Sequence, residues 1–255
     1  MSLKVEDIQT TGDFYKRMFN FQDTVTTKTR DHTSRHMTDG AIDFTLLSYD
    51  ADATSAESTA SGPGPCIHHF AIEVEDLEKS TEEIKANGCE LVSDPGVIPV
   101  KFRAPGGTVA ELVEIGRYKV DGGAQKIDRI THISLKVDDV RTVGDFYKKL
   151  FDFRDTETKK TRDHTSRHMT DGEIDFTLMK YDAGTTSAES VASGAGPCIH
   201  HFAVEVEDLE TATSTIRSLG CQVISDPGVI PVKFRAPGGT VAELVEIGRY
   251  AQRGS

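Results

Sequence analysis

The chain contains two copies of one sequence. A shift of 132 residues superimposes the second half on the first without insertion or deletion, and 89 of the 118 positions from Met1 to Tyr118 are identical to their partners. The segment RDHTSRHMTDG occurs at 30–40 and at 162–172, and PCIHHF occurs at 65–70 and at 197–202. Because a repeat of this length reproduces a whole set of secondary-structure elements, the sequence predicts two copies of one fold.

The two copies have the size of ordinary domains, and we expect module boundaries at residues 1–120 and 127–255. The stretch from Lys119 to Lys126 is polar, contains two glycines and has the composition of a linker. The copies differ at one end. The second copy begins with Ile130-Thr131-His132, whereas Met1 of the first copy pairs with Ile133, so we expect the first copy to lack a counterpart of His132.

A weaker repeat lies inside each module. The segments HISLKVDD from His132 and HFAVEVED from His201 both begin with histidine, alternate apolar with polar residues and end in acids. Alternation with a period of two indicates a half-buried strand. An amphipathic stretch follows each segment, and Gly220 occupies the usual position after a helix C-terminus. In the first of these stretches the apolar residues at helical spacing are Val140, Val143, Phe146, Tyr147 and Leu150.

Further strands are predicted after each helix. In the second module they are Asp155–Thr161, Arg167–Thr170 and Glu173–Lys180 in one half, and Cys221–Ser225, Val232–Ala236 and Thr240–Ile247 in the other. Each half is therefore a β-α-β-β-β unit. The predicted fold class is α+β, with four such units in the chain.

Strand alternation also predicts which side chains face away from the helices. The apolar residues of each strand pack against a helix, so the residues between them point to the opposite face. His132, His201 and Asp175 fall on that polar face, whereas His200 falls on the apolar side and is predicted to be structural. Glu243 is not assigned to a face, because both faces of its strand are apolar.

Two imidazoles and a carboxylate on one polar face suit a divalent ion such as Zn²⁺, Ni²⁺, Mn²⁺ or Fe²⁺, and this ligand set does not select one of them. Open coordination positions on such an ion polarise a carbonyl or enediolate oxygen, or bind O₂ and a catecholate. The structural alternative is a hydrogen-bonded histidine and a solvated carboxylate. The equivalent positions of His132 and His201 in related half-units favour the metal site.

The stretch from Arg162 to His168 is rich in hydrogen-bond donors and is predicted to lie between strands. One interpretation is a turn closed by Asp and Thr side chains. The functional alternative is recognition of an anionic substrate, with Arg162, Arg167 and His168 as the contacting residues.

Taken together, strand-initial histidines, paired β-α-β-β-β units and a Gly-Thr-x-x-Glu-Leu segment near the end of each module resemble the vicinal oxygen chelate superfamily. That superfamily includes glyoxalase I, methylmalonyl-CoA epimerase, extradiol dioxygenases and the bleomycin and fosfomycin resistance proteins. The resemblance covers nearly the whole chain. It implies two glyoxalase-type modules with curved mixed sheets around a metal cleft, and it is specific for the fold rather than for the reaction.

The resemblance also implies roles for individual residues. In the second module the family's first histidine ligand falls on His132, the second on His201 and the terminal glutamate on Glu243. The Glu or Gln that glyoxalase-like members add as a further ligand falls on Asp175, whose side chain is shorter.

In the first module the second histidine falls on His69, the glutamate on Glu111 and the additional ligand on Asp43. Family members build each cleft from two half-units, either within one module or swapped between modules. His132 then joins His201 and Glu243 in the first case, or His69 and Glu111 in the second. Either arrangement implies one competent and one impaired metal site per chain.

Three functions are compatible with this resemblance. The leading hypothesis is a metal-dependent lyase or isomerase of the glyoxalase or epimerase type, in which Glu243 or Glu111 moves a proton on a small carbonyl or α-hydroxy-carbonyl compound. The alternative enzyme is an extradiol-type dioxygenase, favoured if three protein ligands hold Fe²⁺. Its signature expects a further histidine and tyrosine lining the pocket, for which His164, His168 and Tyr250 are available without an assigned position. The third is a protein that sequesters a small molecule, as antibiotic-resistance members do.

Composition limits the partners. A formal net charge of −12 opposes binding to a phosphate backbone, so we expect a small-molecule substrate rather than nucleic acid. No apolar run approaches the length of a membrane span, and the N-terminal segment lacks the pattern of a secretory signal, so we expect a cytoplasmic protein that is a monomeric pseudo-dimer or a homodimer. The four cysteines are expected to be free thiols.

Overall fold

The computed structural model describes residues 1–120 and 128–251. It divides into two compact units, Met1–Ala124 and Gln125–Ser255. Most of the predicted linker, from residue 121 to Lys126, lies outside the described residues, as does the predicted start of the second module at residue 127.

The described part of the second unit contains eight strands and three helices. The strands are β9 (Ile130–Lys136), β10 (Arg154–Lys160), β11 (His164–Thr170), β12 (Asp175–Tyr181), β13 (Cys198–Val206), β14 (Gln222–Val223), β15 (Val232–Arg235) and β16 (Val241–Glu246). The helices are α4 (Val140–Phe151), α5 (Ala188–Ala192) and α6 (Leu209–Ser218).

The described part of the first unit repeats this element order. Its strands are β1 (Ser2–Lys4), β2 (Gln22–Lys28), β3 (His32–Thr38), β4 (Asp43–Tyr49), β5 (Cys66–Val74), β6 (Glu90–Leu91), β7 (Val100–Arg103) and β8 (Val109–Glu114). Its helices are α1 (Ile8–Phe19), α2 (Ala56–Ala60) and α3 (Leu77–Ala86). The α+β class predicted from the sequence is confirmed, and the two units repeat one element order.

The strands of the second unit form a mixed sheet in the order β10-β11-β12-β9-β13-β16-β15-β14. Each half-unit pairs its first strand in parallel with its last long strand, β9 with β12 and β13 with β16. The two halves meet where β9 and β13 run antiparallel. This pairing brings the first strands of both half-units to the centre of the sheet, where the two strand-initial histidine segments become neighbours.

Helix α4 has the amphipathic pattern expected from the sequence. It buries Val143, Phe146 and Tyr147 against the sheet, and the Tyr147 ring meets the Phe176 ring edge-on at 4.8 Å between centroids. The Asp139 side chain accepts hydrogen bonds from the first-turn amides and begins the helix. Because the apolar residues of the central strands pack on this helix, their polar residues point to the opposite face.

Two features of the second unit differ from the sequence prediction. The stretch from Arg162 to His168 was expected to lie between strands, which is wrong for its larger part because β11 begins at His164. Pairing with β10 on one side and β12 on the other extends the strand beyond its apolar residues. The short helix α5 was not predicted, since none of its five residues is buried and it has no periodic apolar face.

Arg167 on β11 links helix α4 to the sheet through hydrogen bonds. Its guanidinium donates to Asp155 Oδ1 at 2.6 Å and Asp145 Oδ1 at 2.9 Å, and to the carbonyl of Arg141 at 3.0 Å. The side chain is buried. Gly144 permits this approach, because a Cβ atom there would lie 2.4 Å from Arg167 Nη1. These contacts give Arg167 a structural role, and the substrate-binding role suggested by the sequence stays a prediction.

Replacing Arg167 with Gln should lower the free energy of unfolding by about 1–3 kcal/mol, because two carboxylates and a helix carbonyl lose their cationic partner in a partly buried place. Chemical denaturation followed by circular dichroism measures this change. The exposed Arg162→Gln variant is the matched control and should change stability by less than about 0.5 kcal/mol. Equal, negligible effects of both substitutions would contradict the structural role of Arg167.

Candidate metal site

Three potential ligands converge at the centre of the second unit. His132 on β9, His201 on β13 and Glu243 on β16 each offer a donor atom, and these atoms all lie within 4.8 Å of one another. The three side chains are almost completely buried, with 2%, 2% and 0% of their residue surface exposed. Neighbouring strands bring them together, because β9 pairs with β13 and β13 pairs with β16. All three therefore come from one module.

The two imidazoles face each other through their Nε2 atoms. His132 Nε2 lies 3.3 Å from His201 Nε2, and His201 Nε2 lies 3.2 Å from Glu243 Oε2. This oxygen is buried and makes no hydrogen bond of good geometry. Two ring nitrogens and a carboxylate oxygen thus converge on one small region of the interior.

Asp175 lies behind His132 rather than beside the three ligands. Its Oδ2 accepts from His132 Nδ1 at 2.6 Å and from the Thr177 hydroxyl at 2.7 Å, and His168 Nδ1 lies 3.1 Å away. Burial alone would raise the pKa of Asp175, but these hydrogen bonds outweigh it and hold the pKa far below its usual range. The carboxylate is ionised and engaged by these three side chains, and the group of converging donors consists of His132, His201 and Glu243. The role of Asp175 as a further metal ligand stays a prediction.

The hydrogen on His132 Nδ1 leaves Nε2 with its lone pair directed at His201. On the other ring, Nδ1 of His201 lies 2.6 Å from Nδ1 of His200, and His201 Nε2 keeps its lone pair when His201 Nδ1 carries the hydrogen. Two lone pairs 3.3 Å apart repel each other unless a cation lies between them. A proton on one ring or a metal ion bound by both removes this repulsion, and the Glu243 carboxylate beside them supplies negative charge. The donor set therefore fits a divalent metal ion.

Glu243 has two further partners. Lys233 Nζ lies 2.8 Å from Oε2, and the Tyr250 hydroxyl donates to Oε1 at 2.8 Å. The Tyr250 ring also stacks on the His132 ring, with centroids 4.2 Å apart and an interplanar angle of 10°. Lys233 is buried and contacts a second carboxylate, Glu189 Oε2, at 3.4 Å. The network fixes Glu243 and covers one face of His132.

The charges around Glu243 keep it ionised. Burial alone would raise its pKa, but Lys233 and His201 outweigh burial and hold the pKa well below the usual range. Burial lowers the pKa of His201 despite the neighbouring carboxylate, so this ring is neutral at physiological pH. Burial, reinforced by Glu243, raises the pKa of Tyr250, which therefore remains a hydroxyl donor.

The first unit retains part of this arrangement. His69 Nε2 lies 3.2 Å from Glu111 Oε2, which Lys101 Nζ contacts at 2.9 Å, and the Tyr118 hydroxyl donates to Glu111 Oε1 at 2.9 Å. Asp43 Oδ1 lies 3.0 Å from a histidine nitrogen, Nδ1 of His36. Within residues 1–120, no three potential ligands converge as they do in the second unit.

The remaining sequence candidates occupy different environments. Arg162 is exposed, and His168 borders Asp175. His164 contacts Asp163 at 2.8 Å and packs its ring against Tyr181, whose ring in turn contacts His200.

Sequence reasoning missed Lys233 and the contact of Tyr250 with Glu243. Lys233 lies between the apolar residues Val232 and Phe234, so strand alternation already places it on the opposite face. Its pairing with Glu243 follows from the register between β15 and β16. The Tyr250 contact follows from the turn after β16, which carries no sequence signal of its own.

The sequence profile of the Glyoxalase/Bleomycin resistance protein/Dioxygenase superfamily matches residues 1–108 and 129–239. The chain belongs to this superfamily. The membership predicted from the two modules is thus confirmed, and members of the superfamily share the fold described above. A probable chloroplastic lactoylglutathione lyase of Arabidopsis thaliana is 25% identical over 184 residues, which are 66% of this chain and 47% of that protein. The chain therefore spans about half the length of this curated relative.

Solved structures share the fold at low identity. A mutant of 4-hydroxymandelate synthase from Streptomyces coelicolor has a TM-score of 0.72 at 17% identity, covering 96% of this chain and 90% of that one. The Mn(II)-bound glyoxalase from Novosphingobium aromaticivorans has a TM-score of 0.64 at 16% identity, covering 95% and 79%. The halotolerant catechol dioxygenase BphC has a TM-score of 0.61 at 13% identity, covering 95% and 84%.

Within residues 1–120 and 128–251, none of the helices combines the length and the apolar character that a membrane crossing requires.

Asp175→Asn should weaken binding of a divalent metal ion about 10- to 100-fold. The substitution removes the negative charge behind His132, and the amide no longer holds the ring in the tautomer whose Nε2 has a lone pair. Equilibrium titration with Zn²⁺ against a chromophoric chelator measures the affinity. Asp43→Asn in the first unit is the matched control, since Asp43 contacts His36 and Thr45 as Asp175 contacts His168 and Thr177. Equal affinities for both variants would show that Asp175 does not support a metal ligand.

Lys233→Met should lower the stability of metal-free protein by about 3 kcal/mol, because Glu243 would remain buried without its ammonium partner. A divalent ion replaces the lost positive charge, so added Zn²⁺ should raise the melting temperature of this variant more than that of the wild type. Thermal unfolding with Zn²⁺ and with a chelator tests both statements. The prediction fails if Lys233→Met loses the same stability in both conditions.

Proposed function

We propose that His132, His201 and Glu243 hold one divalent metal ion and that the second module is the site of a metal-dependent reaction. The observation that carries the proposal is the approach of two imidazole Nε2 atoms and one carboxylate oxygen to each other in the buried centre of the second unit. Buried groups of this kind persist only when a cation or hydrogen bonds compensate them. A bound ion would supply Lewis-acid polarisation and open positions for two adjacent oxygen atoms of a small molecule.

The neighbouring residues determine what the ligands can do. Asp175 and His200 hold the two rings with Nε2 free, Tyr250 holds one oxygen of Glu243, and Lys233 balances its charge. The environment therefore orients every donor before any ion or substrate arrives, which lowers the reorganisation that binding requires. The substrate class is a small molecule with vicinal oxygens, such as a catechol or an α-hydroxy-carbonyl compound.

Two features favour oxygen-dependent cleavage over proton transfer. Asp175 is engaged behind His132, so the set contains two histidines and one carboxylate, which is typical of non-haem Fe²⁺ oxygenases. Glu243 is also a poor general base, because Lys233 and His201 hold its pKa far below neutrality, whereas an efficient base has a pKa near the working pH. We therefore place an Fe²⁺-dependent dioxygenase acting on a catechol-like substrate ahead of the glyoxalase or epimerase activity that the sequence first suggested.

Lyase or isomerase chemistry remains the second candidate, supported by the relative described as a probable lactoylglutathione lyase. In that reaction a group other than Glu243 would have to accept the proton, or Glu243 would have to leave Lys233.

The decisive assay compares oxygen uptake on a catechol panel with solvent-deuterium exchange into 2-oxo and 2-hydroxy-carbonyl compounds. Full-length protein is loaded with Fe²⁺, Zn²⁺, Ni²⁺ or Mn²⁺ in parallel. We expect oxygen uptake with Fe²⁺ that stops under argon, and no exchange with any metal. Exchange without uptake would overturn the order of the two reactions.

The metal site itself is tested separately by His132→Ala, which should abolish most binding of Fe²⁺ or Zn²⁺ because one of three ligands is lost. His36→Ala in the first unit is the control, because His36 contacts Asp43 as His168 contacts Asp175, and it should leave the metal content unchanged. Wild-type protein that holds no metal after loading would refute the metal proposal, and it would then favour sequestration of a small molecule.

A further inference from the structure

The rings of His200 and His201 contact each other, although the two residues are consecutive in one strand. In a regular strand two successive side chains point to opposite faces. Here the pairing of β13 with β9 shifts between Ile199 and His201, so that Ile199 faces Leu135 and His201 faces Ser134, and His200 is the extra residue of a β-bulge. The bulge turns His200 toward its neighbour, and the Nδ1 atoms of the two rings are 2.6 Å apart. The sequence prediction that His200 belongs to the apolar face is therefore wrong.

The backbone carbonyl of Glu189 determines the tautomers of the His200 and His201 rings. His200 Nε2 lies 3.1 Å from this oxygen, which can only accept, so Nε2 of His200 carries the hydrogen. A neutral His200 then has a lone pair on Nδ1, and the short contact requires His201 Nδ1 to donate. In consequence His201 Nε2 has no hydrogen and is free to bind a cation.

We propose that His200 is a positioning residue that holds His201 in the metal-binding tautomer, through a hydrogen-bond chain anchored at the Glu189 carbonyl. This inference rests on the proposed metal site, and it adds a residue that the ligand set does not contain. His132 is oriented by the carboxylate of Asp175, whereas His201 is oriented by a neutral ring. The two ligands thus have supports of different charge.

The neutral support has an electrostatic reason. Glu243 and Asp175 are both buried, and Lys233 is the cation that contacts the ligand carboxylate. A third carboxylate behind His201 would bury additional negative charge, which is costly without a further cation. A histidine relays the hydrogen bond to a backbone carbonyl and adds no charge. Helix α5 supplies the end of this chain, and its Glu189 side chain also contacts Lys233.

Burial alone does not explain His200. An aliphatic residue would fill the same interior volume without a polar atom to satisfy. The ring instead makes a hydrogen bond through each nitrogen, one to His201 and one to Glu189. The first unit repeats the arrangement with His68, whose Nδ1 lies 2.7 Å from His69 Nδ1 and whose Nε2 lies 3.1 Å from the Glu57 carbonyl. His68 therefore offers a matched position outside the proposed metal site.

The test is an equilibrium titration of full-length protein with Co²⁺, followed by the visible absorption of the bound ion. His200→Leu removes the acceptor for His201 and should weaken Co²⁺ binding about 10- to 100-fold. His200→Asn places an amide oxygen the same number of bonds from the backbone as Nδ1, so it should restore affinity to within a few fold of the wild type. His68→Leu makes the same change in the first unit and should leave the affinity and the spectrum of the bound Co²⁺ unchanged.

Stability is measured on the same variants without metal, so that a folding defect is not read as a binding defect. Should His200→Leu fail to fold, His200→Gln replaces it, because its longer amide reaches toward the Glu189 carbonyl but offers no acceptor at the Nδ1 position. Wild-type affinity in either folded variant would overturn the positioning role, as would equal weakening by His200→Asn and His200→Leu. Failure of the metal site itself gives a different result, in which wild-type protein binds no Co²⁺ and His201→Ala changes nothing.

Discussion

Two imidazole nitrogens that face each other 3.3 Å apart in a closed interior are the constraint on which the centre of the second unit depends. Each of these nitrogens carries a lone pair when the opposite ring nitrogen donates its hydrogen, and like lone pairs repel. Asp175 and His200 engage the Nδ1 atoms of the two rings, and Glu243 lies beside His201 Nε2. In the arrangement that we propose, a cation occupies the space between the two Nε2 atoms.

The sheet topology creates this convergence. Each half-unit begins with a strand that carries a histidine, and the antiparallel contact between β9 and β13 places these two strands side by side. Parallel pairing then adds one further strand on each side, so that Asp175 lies opposite His132 and Glu243 lies beside the strand of His201. A repeated half-unit thus supplies two similar ligands and two carboxylates, and their surroundings give the carboxylates different roles. Glu243 approaches the ring nitrogens, whereas Asp175 supports one ring from behind.

Charge balance separates the reaction classes. The Glu243 carboxylate lies beside the buried ammonium of Lys233, which holds its pKa below the usual range and keeps it ionised. The same arrangement suits a carboxylate that only binds an ion, with substrate and a second reactant entering open positions. Membership of the superfamily is compatible with both classes, and the order in which we place them follows from the contacts of Asp175 and Glu243.

The sequence by itself determined the duplication, the α+β class, the superfamily and the candidate ligands His132, His201 and Glu243, because repeats, strand alternation and motif spacing are local properties. It also gave the amphipathic face of α4. Tertiary structure decided the rest. The contact of Asp175 with His132 depends on the pairing of β12 with β9. The position of the His200 ring depends on a β-bulge, which strand alternation cannot predict. The ion pairs of Lys233 with Glu243 and of Arg167 with Asp155 are seen only in the tertiary structure, where the strand register places the partners within contact distance. An ion pair between residues that are distant in the chain leaves no periodic signal in the sequence.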